Sequence, residues 1–140
     1  MRVCILISSN NRDGGPLREI ASCISSTLNE KGYDCSVFNT SIDTDKKITI
    51  FDYIVVISEP VSLFSKQVPS SLEKYLSNCG TISGKRGATV LYKGLRKSSC
   101  MATLMKKVES EGVILKTSEF ISNTNQAKAF AKSLNCERNN

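Results

Sequence analysis

Six residues in the middle of the chain, Tyr53–Ser58, constrain the fold more than any others. Ile54, Val55, Val56 and Ile57 form an unbroken β-branched run between Asp52 and Glu59-Pro60. A short strand that is apolar at every position is buried on both faces, the condition of a parallel sheet covered by helices. Pro60 ends it, having no N–H to give to a ladder. The following loop, residues 61–68, carries Leu63 and Phe64 where a solvated turn would carry Asn, Asp or Gly. In open α/β sheets ligands bind beyond the carboxyl ends of the strands, so a ligand site is expected at this loop.

The rest of the chain alternates strand and helix signals around this run. Residues 1–8 read as a buried strand built on Val3, Cys4, Ile5, Leu6 and Ile7. A polar, glycine-containing loop follows, and Pro16 suits the first turn of a helix. In that helix Leu17, Ile20, Ala21, Ile24 and Leu28 share one face at a period near 3.6, with Gly32 as the stop. Residues 33–38 read as a second strand whose mixed polarity suits an edge. Residues 39–50 read as an irregular crossover or one short helix. Pro69 opens a helix with Leu72, Tyr75, Leu76 and Cys79 inward and Gly80 at its end. A fourth strand is expected over 88–92, after a Gly84-Lys85-Arg86-Gly87 turn. A basic loop over 93–100 follows, with Ser98 or Ser99 as N-cap. Met101, Leu104, Met105 and Val108 mark the next helix, closed by Gly112. A fifth strand region runs from Val113 towards Ile121, and Asn123 or Asn125 caps a last helix with Ala127, Phe130, Ala131 and Leu134 inward. Residues 136–140 read as a frayed tail.

Five strands separated by helices predict a three-layer α/β domain over residues 1–140, a parallel sheet with helices on both faces and right-handed crossovers. The order 2-1-3-4-5 puts strand two at the edge and Tyr53–Ser58 in the centre. At 140 residues, 40% hydrophobic and 23% charged, the chain is of the size and composition of one soluble domain. No apolar run approaches the ~20 residues of a membrane span. The Val3–Ile7 run is too short for a signal-peptide core, so the cytoplasm is the expected location.

Histidine is absent altogether, which removes Ser-His-Asp and Cys-His catalysis and imidazole acid–base chemistry. The six cysteines (4, 23, 35, 79, 100 and 136) show no Cys-x-x-Cys pair and no metal-ligand spacing. They read as reduced thiols, several acting as small core hydrophobes. Chemistry by such a chain would be carried by a cofactor.

Several residues carry a resemblance. In order come Asp52 before the central strand, Ser58-Glu59-Pro60 at its end, the loop at 61–68, Pro69-Ser70-Ser71-Leu72 opening a helix, and Gly84-Lys85 before strand four. This order resembles the flavodoxin and flavodoxin-like FMN oxidoreductase families over essentially the whole chain. The resemblance implies FMN as cofactor and three contact segments. The first is the phosphate loop, represented here by Ser8, Ser9, Asn10, Asn11, Arg12, Gly14 and Gly15. Backbone N–H groups and hydroxyls at a helix N-terminus would cradle the phosphate there, with Arg12 able to pair with it. The second is Pro60, Val61, Ser62, Leu63 and Phe64. The third is Tyr92, Lys93 and Gly94 after strand four.

This chain departs from the family pattern in two places. Asp13 adds a negative charge to the phosphate loop, and Pro16 or Leu17 stands where the last threonine would be. Ser62 occupies the position where many relatives carry a flavin-stacking aromatic, which leaves Phe64 and Tyr92. Bland readings stand beside these: Gly14-Gly15-Pro16 as a plain turn, Phe64 as loop packing, Tyr92 as strand core.

Three function classes follow. The favoured one is an FMN-binding electron carrier or small flavin oxidoreductase, a carrier more than an enzyme with its own substrate. The second is a flavodoxin-fold module that has lost FMN and binds a partner. The third, a nucleic-acid or acidic-partner binder, is suggested by a net charge of +6 and a pI near 9.1. Nucleic acid is disfavoured, because no Trp occurs and Tyr92 is the only aromatic in the basic region. Lys85, Arg86, Lys93, Arg96, Lys97, Lys106 and Lys107 form a run without a carboxylate. It reads either as a solvated face or as a cluster converging on the ligand mouth. The second case implies a redox partner protein with an acidic docking surface.

Overall fold

The computed structural model describes residues 1–93 and 96–137. Its elements are β1 (Arg2–Ser8), α1 (Leu17–Glu30), β2 (Asp34–Asn39), β3 (Tyr53–Ser58), α2 (Ser70–Leu76), β4 (Arg86–Tyr92), α3 (Lys97–Glu109), β5 (Ile114–Ile121) and α4 (Thr124–Ser133). The five strands form one parallel sheet in the expected order β2-β1-β3-β4-β5, with β2 at the edge that its polarity suggested. Every residue of β3 is buried, whereas β2 at one edge has only half-buried and exposed residues.

Strand alternation sends successive side chains into two separate cores. Val3, Ile5, Ile7, Tyr53, Val55, Ile57, Ala88 and Val90 pack against α1 and α4. Cys4, Leu6, Ile54, Val56 and Leu91 pack against α2 and α3. Fully burying one such Val, Leu or Ile contributes about 1.5–3 kcal/mol, so the three interior strands β1, β3 and β4 stabilise both layers at once. The first helix ends in a Schellman motif: Gly32 adopts φ 94°, its N–H donates to Asn29 O, and the Tyr33 N–H donates to Leu28 O.

Five local expectations are settled or changed. Residues 39–50 contain no helix; turns hold them, with Ile48 fully buried and its N–H donating to Cys79 O at 3.0 Å. Helix α3 starts at Lys97 from an Arg96 cap that offers no side-chain hydrogen bond, so neither Ser98 nor Ser99 is its N-cap. Burial of Cys100 and Met101 fixes that start instead of a cap. Strand β4 begins two residues early, at Arg86, through its pairing with Tyr53. Cys136 is not part of a frayed tail: it is fully buried in the α1/α4 core. The last helix is capped by Asn123, whose side chain accepts from the Gln126 N–H at 2.9 Å. No helix among the described residues is long and apolar enough to cross a membrane.

Candidate functional site at the carboxyl edge of the sheet

Parallel pairing brings Ser8, Ser58 and Leu91 into one row, so the loops after β1, β3 and β4 leave the sheet side by side. Ser8 is fully buried at the end of its strand. Its carbonyl accepts from Ser58 Oγ at 3.1 Å, and its own hydroxyl has no hydrogen-bond partner among the described residues.

The loop after β1 is bound to the loop after β3. Ser9, also buried, donates from Oγ to Glu59 Oε2 at 2.6 Å, and the Asn10 N–H donates to the same oxygen at 2.9 Å. Asn10 Nδ2 donates to Pro60 O at 2.8 Å, and the Asn11 N–H donates to Ser9 Oγ at 3.0 Å. Further along, the Gly15 N–H donates to Asp13 Oδ1 at 3.0 Å, and the Gly14 N–H to Asn11 O at 3.0 Å. Gly14 and Gly15 have φ of 99° and 49°, and a Cβ on either would stand 2.5 Å from Arg18 Cγ or Asn11 Nδ2. The backbone here demands glycine whether or not a ligand binds. Arg12 is exposed, and its carbonyl accepts from Asn39 Nδ2 at 2.9 Å.

The loop after β3 presents an apolar tip. It is closed by the Val61 N–H donating to Gln67 O at 2.9 Å, with Ser65 N–H donating to Ser62 O at 3.1 Å inside it. Val61, Leu63 and Phe64 are 44%, 59% and 66% exposed. Phe64 therefore does not pack the loop onto the domain. After β4, Tyr92 is half-buried against the α1/α4 core, and Lys93 takes φ 55° with its Nζ 5.2 Å from the Tyr92 ring centre. Gly94 lies outside the described residues.

The basic run does not converge on this edge. Lys85 sits at the opposite end of the sheet, where its Nζ donates to Thr49 O at 2.8 Å and Phe51 O at 2.6 Å. Arg86 begins β4 at that same end. Lys107 pairs with Glu73 at 3.6 Å. Only Lys93, Arg96 and Lys97 follow the carboxyl end of β4. Arg96 with Lys66, Lys106 and Lys107 lines a neighbouring cleft of about 620 Å³.

Glu59 is the residue that sequence reasoning passed over, treating it only as the end of the strand. The signal was present: an acidic residue one step past Ser58, with Ser9 one step past Ser8, once those serines are placed in register. As to a phosphate, the donors are of the right kind, a hydroxyl and a backbone N–H at a helix-leading loop. They already hold an oxyanion, the Glu59 carboxylate, in the manner a phosphate oxygen would be held. Among the described residues no group of three His, Cys, Asp or Glu side chains could hold a metal ion.

No protein-family model matches the chain, and no curated protein matches it. Solved structures do. A flavodoxin from the domain Archaea superposes with TM-score 0.72 at 17% identity, covering 94% of this chain and 92% of that one. A single-residue mutant of flavodoxin from Pseudomonas aeruginosa gives TM-score 0.74 at 14% identity, covering 94% and 95%. The Flv1 flavodiiron core from Synechocystis matches with TM-score 0.67 at 13% identity over 94% of this chain but 33% of that one. Strand order, layering and these superpositions agree: the chain has the flavodoxin-like α/β fold.

Proposed function

We propose that this protein is a flavin-binding electron-transfer protein that takes FMN at the carboxyl edge of its sheet. The observation that carries this reading is the pairing, in one place, of an oxyanion-holding loop and an apolar tip. Ser9 and Asn10 hold a carboxylate, while Leu63 and Phe64 stand exposed on the adjoining loop. A ligand with an anionic end and a flat apolar end matches both. The structural neighbours named flavodoxin support the same reading.

In this reading Ser9 and Asn10 hold the phosphate, with Arg12 supplying a charge, and Leu63, Phe64 and Tyr92 shelter the ring from water. The flavin supplies the one- or two-electron exchange; the chain supplies position and field. Lys93, Arg96 and Lys97 give the flavin-side surface a positive charge that suits an acidic redox partner. Titration of the purified protein with FMN, read by quenching of flavin fluorescence, tests the reading. Saturable quenching with one flavin per chain is the expected result.

A second reading is favoured by one observation, the carboxylate already seated on the loop. In it the domain binds no flavin and docks a protein through the Leu63–Phe64 tip. Absence of quenching at any FMN concentration would select it.

A further inference from the structure

We infer that Glu59 is a specificity-determining residue: an internal anion that competes with a ligand phosphate for Ser9 Oγ and the Asn10 N–H. The inference rests on the flavin reading for its ligand but on the geometry alone for its mechanism. One oxygen, Oε2, accepts from both donors, at 2.6 and 2.9 Å. The shorter of these is a charge-assisted O–H···O contact of the strong kind. Ser9 is 4% exposed, so its hydroxyl does not turn out to water as an alternative.

Glu59 reaches this place by construction. Ser8 and Ser58 are paired across β1 and β3, so the residues that follow them leave the sheet as neighbours. Asn10 Nδ2 on Pro60 O at 2.8 Å then fastens the two loops together beside the carboxylate. The loop is also supplied with a second internal acceptor, Asp13, on the Gly15 N–H. Donors that would otherwise wait for a phosphate are therefore satisfied within the folded chain.

Two oxyanions do not share one pair of donors. A phosphate that enters must expel the Glu59 carboxylate into water, and part of its binding free energy goes into that exchange. A flavin lacking the phosphate asks for no such exchange. Glu59 thus lowers the advantage that FMN would have over riboflavin.

The test compares FMN and riboflavin affinities of the wild type with those of Glu59→Ala and Glu59→Gln. The wild type is expected to bind the two flavins within about threefold of each other. Glu59→Ala should favour FMN by about tenfold or more, with Glu59→Gln between them, because its amide is uncharged. An FMN-to-riboflavin ratio unchanged in both variants would overturn the proposal, as would a wild type that already strongly prefers FMN. If no protein of the set binds either flavin, the flavin reading fails and the Glu59 mechanism is read with inorganic phosphate. A melting temperature that rises with phosphate over chloride of equal ionic strength in the variants, and not in the wild type, upholds it. Equal response of all three proteins overturns it. Glu59→Gln keeps the side-chain volume, so a fold defect confined to Glu59→Ala does not obscure the outcome.

Discussion

Lys31 and Ala131 lie one hundred residues apart and meet at the end of α4, where the Lys31 ammonium donates to Ala131 O at 3.0 Å. The same ammonium donates to the carbonyls of Lys132, at 3.0 Å, and of Leu134. One cation from the residue after α1 thereby satisfies the last carbonyls of a second helix and meets the negative end of its dipole. Lys31→Met should lower stability by about 1–2 kcal/mol. Urea unfolding followed by circular dichroism checks this, with flavin affinity unchanged.

Lys85 serves the opposite end of the sheet. Its bonds to Thr49 O and Phe51 O tie the irregular crossover to the start of β4. Lys85→Met should cost about 1–2 kcal/mol. Lys93→Met, at an exposed position, should stay within about 0.5 kcal/mol. Equal melting temperatures for the two variants would show that Lys85 is no strap.

Phe64 and Tyr75 separate binding from packing. Tyr75 is 2% exposed, and its hydroxyl donates to Lys46 O at 3.0 Å. Tyr75→Ala should therefore lose about 3–5 kcal/mol. Phe64→Ala should leave the melt within about 0.5 kcal/mol of wild type. It should weaken flavin by about tenfold, the upper range of an aromatic contact. Fluorescence titration and thermal melts of the two variants make the comparison.

Buried thiols set an alkaline limit. Burial pushes Cys136 up from 9.0 to about 12, with the neighbouring Cys35 adding to the rise, and pushes Cys35 itself to about 11. Cys4 also moves upward for the same cause. Below pH 9.0 both the folded and the unfolded chain keep these protons, and the burial contributes in full. Above it the unfolded chain loses them first, so it binds fewer protons and stability falls as pH rises from 9.0 towards 12. Urea midpoints at about pH 8 and about pH 10.5 should drop between the two, and Cys136→Ala should flatten that drop.

Charge reversal at the β4 end tests the proposed docking of an acidic partner. Lys93→Glu with Arg96→Glu should slow association with an acidic redox partner about tenfold at low salt, an effect that added salt removes. Stopped-flow rates at two ionic strengths give the result.

Much of the frame is legible in the residues themselves. The unbroken apolar run of Tyr53–Ser58 dictates a strand covered on both faces, and the 3.6 period of Leu17, Ile20, Ile24 and Leu28 dictates a one-faced helix. What escapes is contact with backbone carbonyls. Lys31 and Lys85 look like any surface lysine, because the carbonyls they meet have no side-chain signature. Their partners come near only after the sheet is assembled. Cys136 escapes for a related reason: a cysteine near a polar terminus gives no sign that the α1/α4 core has room for it. At the site, Leu63 and Phe64 are readable as unusual loop residues, whereas the bond from Ser9 to Glu59 needs the register of β1 on β3 before it can be seen.

The seated carboxylate also bears on how the proposed flavin binding would couple to the stability of the chain. A ligand raises the stability of a fold by its own binding free energy, and most where it satisfies groups the empty protein leaves bare. Here Ser9, Asn10 and Gly15 find their acceptors among Glu59 and Asp13. Under the flavin reading proposed above, the empty protein would therefore have this loop's donors satisfied before any flavin arrived and again after it left. In that reading lifetime and loading would be uncoupled: a cell short of flavin would keep the polypeptide and forgo only its colour.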